Sequence, residues 1–292
     1  MNSKVQSLKD FLAGQGRIAL VEVAGTKGST PREKGALMLV SQSAILGTIG
    51  GGQLEYMAID KARQMLFSPS RGERRRAATL DVPLGPEIGQ CCGGRVEVLI
   101  RLVDAALAAE LVAAAEAEEA QLPHVYIFGG GHVGQALAST IALLPVYGVV
   151  IETRAEALEG MPETVETRLT PIPEAMVRDA PAGAAFAILT HDHALDFLIV
   201  AEALKRGDAA YVGMIGSKTK KATFKNWFLK SADGSEAEFA RLISPIGGDA
   251  VKDKRPQVIA ALAAAEIMTA LVMHAAAPNA GQQVPHEKAI AG

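Results

Sequence analysis

HVYIFGGGHVGQALASTIALLPVYGVVIET occupies residues 124–153, and the order of its parts decides the fold. HVYIF reads as a strand, GGGHVGQALASTIALL (129–144) as a loop and helix, and GVVIET (148–153) as the next strand. Gly129-x-Gly131-x-x-Gly134 therefore falls between a strand and a helix, the context that the dinucleotide-binding fingerprint requires. Gly129 permits the tight turn, Gly131 lets backbone approach a phosphate, and Gly134 lets the helix pack closely on the strand. The acidic residue expected about twenty positions on is Glu152. Arg154, two residues further, leaves NAD and NADP both open. The same loop can hold any phosphorylated ligand, or be a glycine-rich turn with none. His132, inside the loop, would face whatever binds there.

The pattern continues downstream. TVETR (164–168), AAFAILT (184–190) and YVGMIG (211–216) read as strands. ALDFLIVAEALKRG (194–207), SKTKKATFKNWFLK (217–230) and KRPQVIAALAAAEIMTALVM (254–273) read as helices. Alternation of this kind predicts a doubly wound parallel sheet, so residues 124–275 are expected to form a Rossmann-like domain. His191-Asp192-His193 follows the fourth strand, which in the common doubly wound order lies beside the first, so these residues would face the glycine loop's crevice. They would anchor a loop or, with further ligands, bind a metal. Asp196 reads as a charge at the start of the next helix. Gly216, Ser217 and Lys218 stand at another strand end, where a phosphate contact fits. Lys220, Lys221 and Lys225 add either to that contact or to a solvated helix face. Residues 276–292 show no apolar pattern and are expected to be disordered.

The first half reads differently. A helix over Ser3–Ala13 precedes strands RIALVEVAG (17–25), GALMLV (35–40) and AILGTI (44–49). A helix QLEYMAIDKARQMLF (53–67) and strands in RRRAATLDV and RVEVLIRLV (95–103) follow. Residues 1–103 are thus an expected α+β domain, giving an α/β protein overall. DAALAAELVAAAEAEEAQLP (104–123) is the expected helical linker. Gly50-Gly51-Gly52, ahead of Gln53 and Glu55, would turn backbone N–H groups toward an anion or simply make a tight turn. The preceding GSTPREK offers Ser29, and Arg32 as an anion ligand. Cys91 and Cys92 sit among Gly89, Gly93 and Gly94. Adjacent α-carbons about 3.8 Å apart would strain a disulfide between them. Metal, persulfide or redox work suits such thiols, as does a buried turn.

Two domains are expected from 292 residues. A net charge of −3 with 4% aromatic residues gives no basic stripe for nucleic acid or membrane surfaces. No secretory leader and no bilayer-spanning stretch is expected. Two neighbouring cysteines make no disulfide framework, so a cytoplasmic setting is expected.

GSTPREKGALMLV, GTIGGGQLE, GQCCGG, FGGGHVGQALA, LTHDHALD, YVGMIGSKTKK and SPIGGD occur in an order that resembles the XdhC/CoxI family. These are accessory factors for xanthine dehydrogenase and related molybdenum hydroxylases. The resemblance covers roughly residues 10–270. It implies a molybdenum cofactor chaperone without turnover of its own. Such a protein shelters the pterin cofactor while a cysteine desulfurase helps install the terminal sulfido ligand, then delivers it to the apo hydroxylase. The pterin phosphate would sit on Gly129–Gly134 and the metal end at the first domain's loops. Cys91 and Cys92 become candidates for molybdenum contact or sulfur relay. The plain pterin and nucleotide-extended forms both remain open, and a homodimer is the default assembly. The alternatives are an NAD(P)-dependent oxidoreductase using the glycine loop and, less supported, a metal-dependent hydrolase using His191-Asp192-His193.

Overall fold

The computed structural model describes residues 4–67, 77–85 and 93–277. The chain forms two compact units, residues 1–120 and 121–292.

In the first unit, α1 (Lys4–Gly14) leads into β1 (Ala19–Lys27), β2 (Leu37–Val40) and β3 (Ile45–Gly47). Then come α2 (Gly52–Phe67), β4 (Ala77–Pro83), β5 (Arg95–Leu102) and α3 (Ala105–Ala120). The strands make an antiparallel sheet in the order β3-β2-β1-β5-β4. Successive side chains of a strand point to opposite faces, and β1 is apolar on both. Ala19, Val21 and Val23 pack with Leu54, Ala58, Ala62 and Leu66 of α2. Ile18 and Leu20 face Leu8 and Phe11 of α1 and Leu107 and Leu111 of α3. The central strand is therefore covered twice, which explains its weak polar alternation.

The helix expected to be a linker belongs to this first unit. Its two leucines pack under the sheet, and the Lys9–Glu116 ion pair (2.7 Å) joins it to α1. That pair is about half exposed at each end, which limits it to roughly 1 kcal/mol or less. The leucine contacts hold α3 in place.

The second unit runs β6 (His124–Phe128), α4 (His132–Ile141), β7 (Tyr147–Glu152), a 3₁₀ turn (Ala155–Leu158), β8 (Glu166–Leu169), α5 (Ala175–Arg178), β9 (Ala185–Ile188) and α6 (His193–Lys205). It continues with β10 (Tyr211–Met214), α7 (Lys218–Ser231), α8 (Glu236–Phe239), β11 (Leu242–Ile243) and α9 (Pro256–Ala276). All strand pairs are parallel, in the order β11-β10-β9-β6-β7-β8, the Rossmann-like arrangement. The chain runs outward from β6 through β7 to β8, then crosses back to β9. Its direction reverses between β6 and β9, and a crevice opens there at the strands' C-terminal ends. On one face Val125, Ile127, Ala185 and Ala187 meet α4 and α9. On the other, Phe128, Phe186, Val212 and Met214 meet α6 and α7.

Two expectations need correction. The α9 helix is, by length and composition, apolar enough to cross a membrane, although no such stretch is expected from the sequence. Its Ala260, Ala263, Ile267 and Leu271 pack in the α4 core. Its carboxylate, Glu266, accepts the Tyr211 hydroxyl (2.6 Å) and the Gly247 N–H (2.9 Å). It also runs to Ala276, past the expected domain end; residues 278–292 lie outside those described. The sequence pattern missed β11, whose two residues are too few for any periodicity.

If apolar packing rather than charge holds α3, Leu111→Ala should cost the first unit about 1–2 kcal/mol, and Glu116→Ala less than about 0.5 kcal/mol. Urea denaturation followed by circular dichroism measures both, and the reverse ranking would contradict the packing account.

Candidate functional site

The glycine loop of the second unit lies at the switch between β6 and β9. A β-carbon on Gly129 (φ +108°) would stand 2.7 Å from the Leu189 carbonyl oxygen and 3.0 Å from the Thr190 nitrogen. On Gly130 it would stand 2.3 Å from the Ala157 carbonyl oxygen, and on Gly134 only 1.9 Å from that of Gly129. Each contact is with rigid backbone. On Gly131 it would meet the His191 ring at 2.8 Å, so the His191 imidazole stands against the loop.

Gly131 is also the N-cap of α4, and no side chain caps it. The helices flanking the crevice differ. Asp192 caps α6, accepting from the Ala194 and Leu195 N–H groups (2.8 and 3.3 Å). Ser217 caps α7 through the Lys220 N–H (3.3 Å). Asp192 is thus a helix cap, which favours the loop-anchor reading of His191-Asp192-His193 over a metal site. Both histidines and His132 are exposed.

Glu152 ends β7, where the sequence places the acid. Its carboxylate accepts the Gly130 N–H (2.8 Å), the Thr153 N–H (2.8 Å) and the Arg154 N–H (3.2 Å), with the Arg154 guanidinium at 3.3 Å. Burial opposes its ionisation, yet the Gly130 N–H, the Arg154 guanidinium and the Thr153 N–H outweigh that and hold the pKa down at about 2. The carboxylate fastens the glycine loop to β7.

Of the lysines after Ser217, Lys220 and Lys221 are committed within the unit, while Lys225 lies on a solvated face. Lys220 is buried and paired with the wholly buried Asp196. Lys221 donates to the Leu242 and Ser244 carbonyls (3.3 and 3.4 Å), and Lys225 pairs with Glu236 (2.9 Å). Lys218 is exposed, 3.8 Å from Asp249. Thr190, the last residue of the expected strand 184–190 and not singled out as a site residue, donates its hydroxyl to Asp196 (2.6 Å). Its place just before His191 was the available signal.

In the first unit, Gly50, Gly51 and Gly52 all have positive φ (+123°, +77° and +66°), and their loop does gather N–H groups around an anion. That anion is Glu55. Its Oε2 accepts the Thr48 hydroxyl (2.5 Å) and the N–H groups of Ile49 and Gly51 (3.0 Å each). Burial opposes ionisation here too, but those donors prevail and the pKa is lowered. Thr48, two residues ahead of the triple glycine, completes the clasp and was not singled out in the sequence.

Three first-unit motifs converge at the end of β1. A β-carbon on Gly50 would lie 2.8 Å from Pro31, and on Gly94 2.2 Å from the Ser29 carbonyl oxygen. Ser29, Arg32 and Gln53 are exposed around this junction. Cys91 and Cys92 lie outside the described residues; Gly93 and Gly94 directly follow them. Among the described residues no cluster of three metal-ligating side chains occurs.

Glu152 makes stability pH-dependent in a defined window. Its folded pKa is depressed, so its contribution is full above the ordinary carboxylate pKa and is lost as pH falls toward about 2. The wild type should lose roughly 3 kcal/mol more than Glu152→Gln between pH 5 and pH 2. Parallel pH–stability curves for the two proteins would remove the clasp role. Gly134→Ala should cost several kcal/mol through its clash with the Gly129 carbonyl, whereas Gly207→Ala, with open space around it, should change stability by about 0.5 kcal/mol or less.

Comparison with known proteins matches these regions. Residues 125–267 fit the XdhC Rossmann domain and residues 11–76 the XdhC and CoxI family. Over 260 residues the chain is 28% identical to the uncharacterized protein YqeB of Escherichia coli (strain K12). That covers 86% of this chain and 43% of YqeB, so the chain spans less than half the length of that relative. A crystal structure from Bacillus halodurans, described as a xanthine dehydrogenase, superposes with a TM-score of 0.75 at 18% identity, covering 93% of this chain and 96% of that one. At that identity the likeness concerns the fold. Ser29, Arg32 and Gly50–Glu55 fall in the first matched region, and Gly129–Gly134, His191–His193 and Gly216–Lys218 in the second. By its matches in both halves, the chain belongs to the XdhC and CoxI family.

Proposed function

We propose that this protein is a molybdenum cofactor-binding chaperone. It shelters the cofactor during sulfuration by a cysteine desulfurase and delivers it to apo xanthine dehydrogenase or a related molybdenum hydroxylase, in the cytoplasm. It has no turnover of its own. The observation that carries the reading is the uncapped start of α4 behind a loop in which Gly129, Gly130 and Gly134 have backbone where a β-carbon would stand, in a chain of this family.

The residues present fit the pterin phosphate. Free N–H groups at a helix start, together with the helix dipole, favour an anion. Gly131, His132 and Gly134 would hold it, Glu152 keeps Gly130 in place, and His191 stands beside Gly131. Ser217 and Lys218 lie at the neighbouring strand end of the same unit. In the first unit Glu55 takes the Ile49 and Gly51 N–H groups and Thr48 Oγ1 takes that of Gly50, so an incoming anion would meet the exposed Arg32 rather than those N–H groups. Cys91 and Cys92 are proposed as molybdenum contacts. When bound, the cofactor supplies the dithiolene-held metal whose sulfido ligand the client hydroxylase needs.

A nicotinamide dinucleotide is the second reading, favoured by Glu152 at the end of β7, where a ribose-binding acid belongs. Against it, both Glu152 oxygens already accept protein N–H groups.

Protein purified from cells that make molybdenum cofactor should carry molybdenum and pterin, and protein from cells that cannot make it should carry neither. A nicotinamide nucleotide in both preparations, without pterin, would favour the second reading. Gly131→Asp sets a carboxylate among the α4 amides and should lower pterin occupancy about tenfold or more. Cys91→Ala/Cys92→Ala should keep pterin and lose molybdenum; unchanged molybdenum in the folded double variant would refute the contact.

A further inference from the structure

The buried Asp196–Lys220 pair is unused by phosphate binding as described, and it stands where it is costly. Lys220 lies in the first turn of α7, where the helix dipole disfavours a cation, and both charges are withdrawn from water. What the pair connects accounts for its presence. Asp196 Oδ1 accepts the N–H (3.1 Å) and hydroxyl (2.6 Å) of Thr190, while its Oδ2 accepts the Lys220 ammonium. The Thr190 Oγ1 accepts the Asp192 N–H (3.3 Å). The Leu189–Thr190 peptide is the one that Gly129 abuts. On the far side, the Lys220 stem folds back over Gly216, where a β-carbon would stand 2.6 Å from Lys220 Cδ. Gly216 is thus the space through which Lys220 reaches Asp196. The loops at Gly129–Gly131, Thr190–His193 and Gly216–Lys218 are joined through one buried junction.

We propose that Asp196 and Lys220 are positioning residues for cofactor binding. Their ion pair sets the His191-Asp192-His193 and Gly216-Ser217-Lys218 loops at the rim of the Rossmann crevice, with His191 against Gly131. This rests on the cofactor-binding reading above.

The test separates order from stability. A buried ion pair replaced as a whole by apolar side chains is often neutral for stability, whereas loss of one partner leaves an unpaired charge. Asp196→Leu/Lys220→Met removes both charges but also the acceptor of the Thr190 N–H and hydroxyl, so it should melt a few degrees below the wild type, while Lys220→Met alone, which leaves a buried carboxylate unpaired, melts lower still. The folded double variant, purified from cofactor-making cells, should carry about tenfold less molybdenum and pterin per chain, and its amides at 190–193 and 216–218 should exchange hydrogen about tenfold faster, with α9 unchanged. Should the double variant not fold, Gly216→Ala displaces the Lys220 stem without removing a charge. It should lower occupancy and speed exchange in the same two loops. Wild-type occupancy in either folded variant would overturn the proposal. A wild-type protein empty of molybdenum and pterin would overturn the cofactor reading itself, and unchanged exchange in the two loops would then overturn the positioning role as well.

Discussion

The Gly129 carbonyl oxygen lies 1.9 Å from the place a β-carbon of Gly134 would occupy, and the second unit is arranged around that approach. It lets α4 start directly against the end of β6. Gly129 in turn presses on the Leu189–Thr190 peptide, and Gly130 on Ala157. The strand ends on both sides of β6 are therefore fixed relative to the loop by backbone contact, with no side chain to adjust. Such packing has little tolerance. It also leaves the α4 amides facing outward.

The two glycine loops resemble each other in sequence and differ in electrostatics. At Gly50–Gly52, where three consecutive residues have positive φ, the Ile49 and Gly51 N–H groups are taken by Glu55 and that of Gly50 by the Thr48 hydroxyl oxygen. At Gly129–Gly134 the corresponding carboxylate, Glu152, accepts only the Gly130 N–H from the loop, from behind, and leaves the helix start uncapped. A loop that brings its own anion is a structural clasp, whereas one whose acid braces it from outside keeps its helix dipole available to a ligand. The same residue types thus serve opposite ends, and the difference lies in which N–H groups the acid reaches.

The second unit was legible because two independent periods coincide there. Fully apolar strands such as AFAI alternate with helices, and the fingerprint glycines mark a junction between them. The placement of Glu152 followed from the same geometry. The first unit was less legible because β1 is buried on both faces and shows no clean alternation. The α3 helix read as a connector because its sequence is almost entirely alanine and glutamate, and its attachment depends on two leucines. At the site, strand order put His191-Asp192-His193 beside the Gly129 loop, and His191 does stand against Gly131. It did not reveal that Asp192 caps a helix, that Glu55 fills its own nest, or that Lys220 is buried. Those depend on which of several polar groups a side chain reaches in three dimensions, and on the space that Gly216 leaves.

Acidic side chains organise nearly every loop described at the candidate site. Glu55 closes one glycine loop, Glu152 braces the other, Asp192 caps α6, and Asp196 joins Thr190 to Lys220. Each of these carboxylates is met by donors within its own unit, so its charge is compensated where it stands. A phosphate or an oxygen-rich metal group approaching the α4 start would meet amide N–H groups and the exposed imidazoles of His132 and His191 before any unpaired acid. A formal net charge of −3 therefore says little about the field at the α4 start, because at short range that field is set by oriented dipoles and by which carboxylates are already paired rather than by the sum of formal charges.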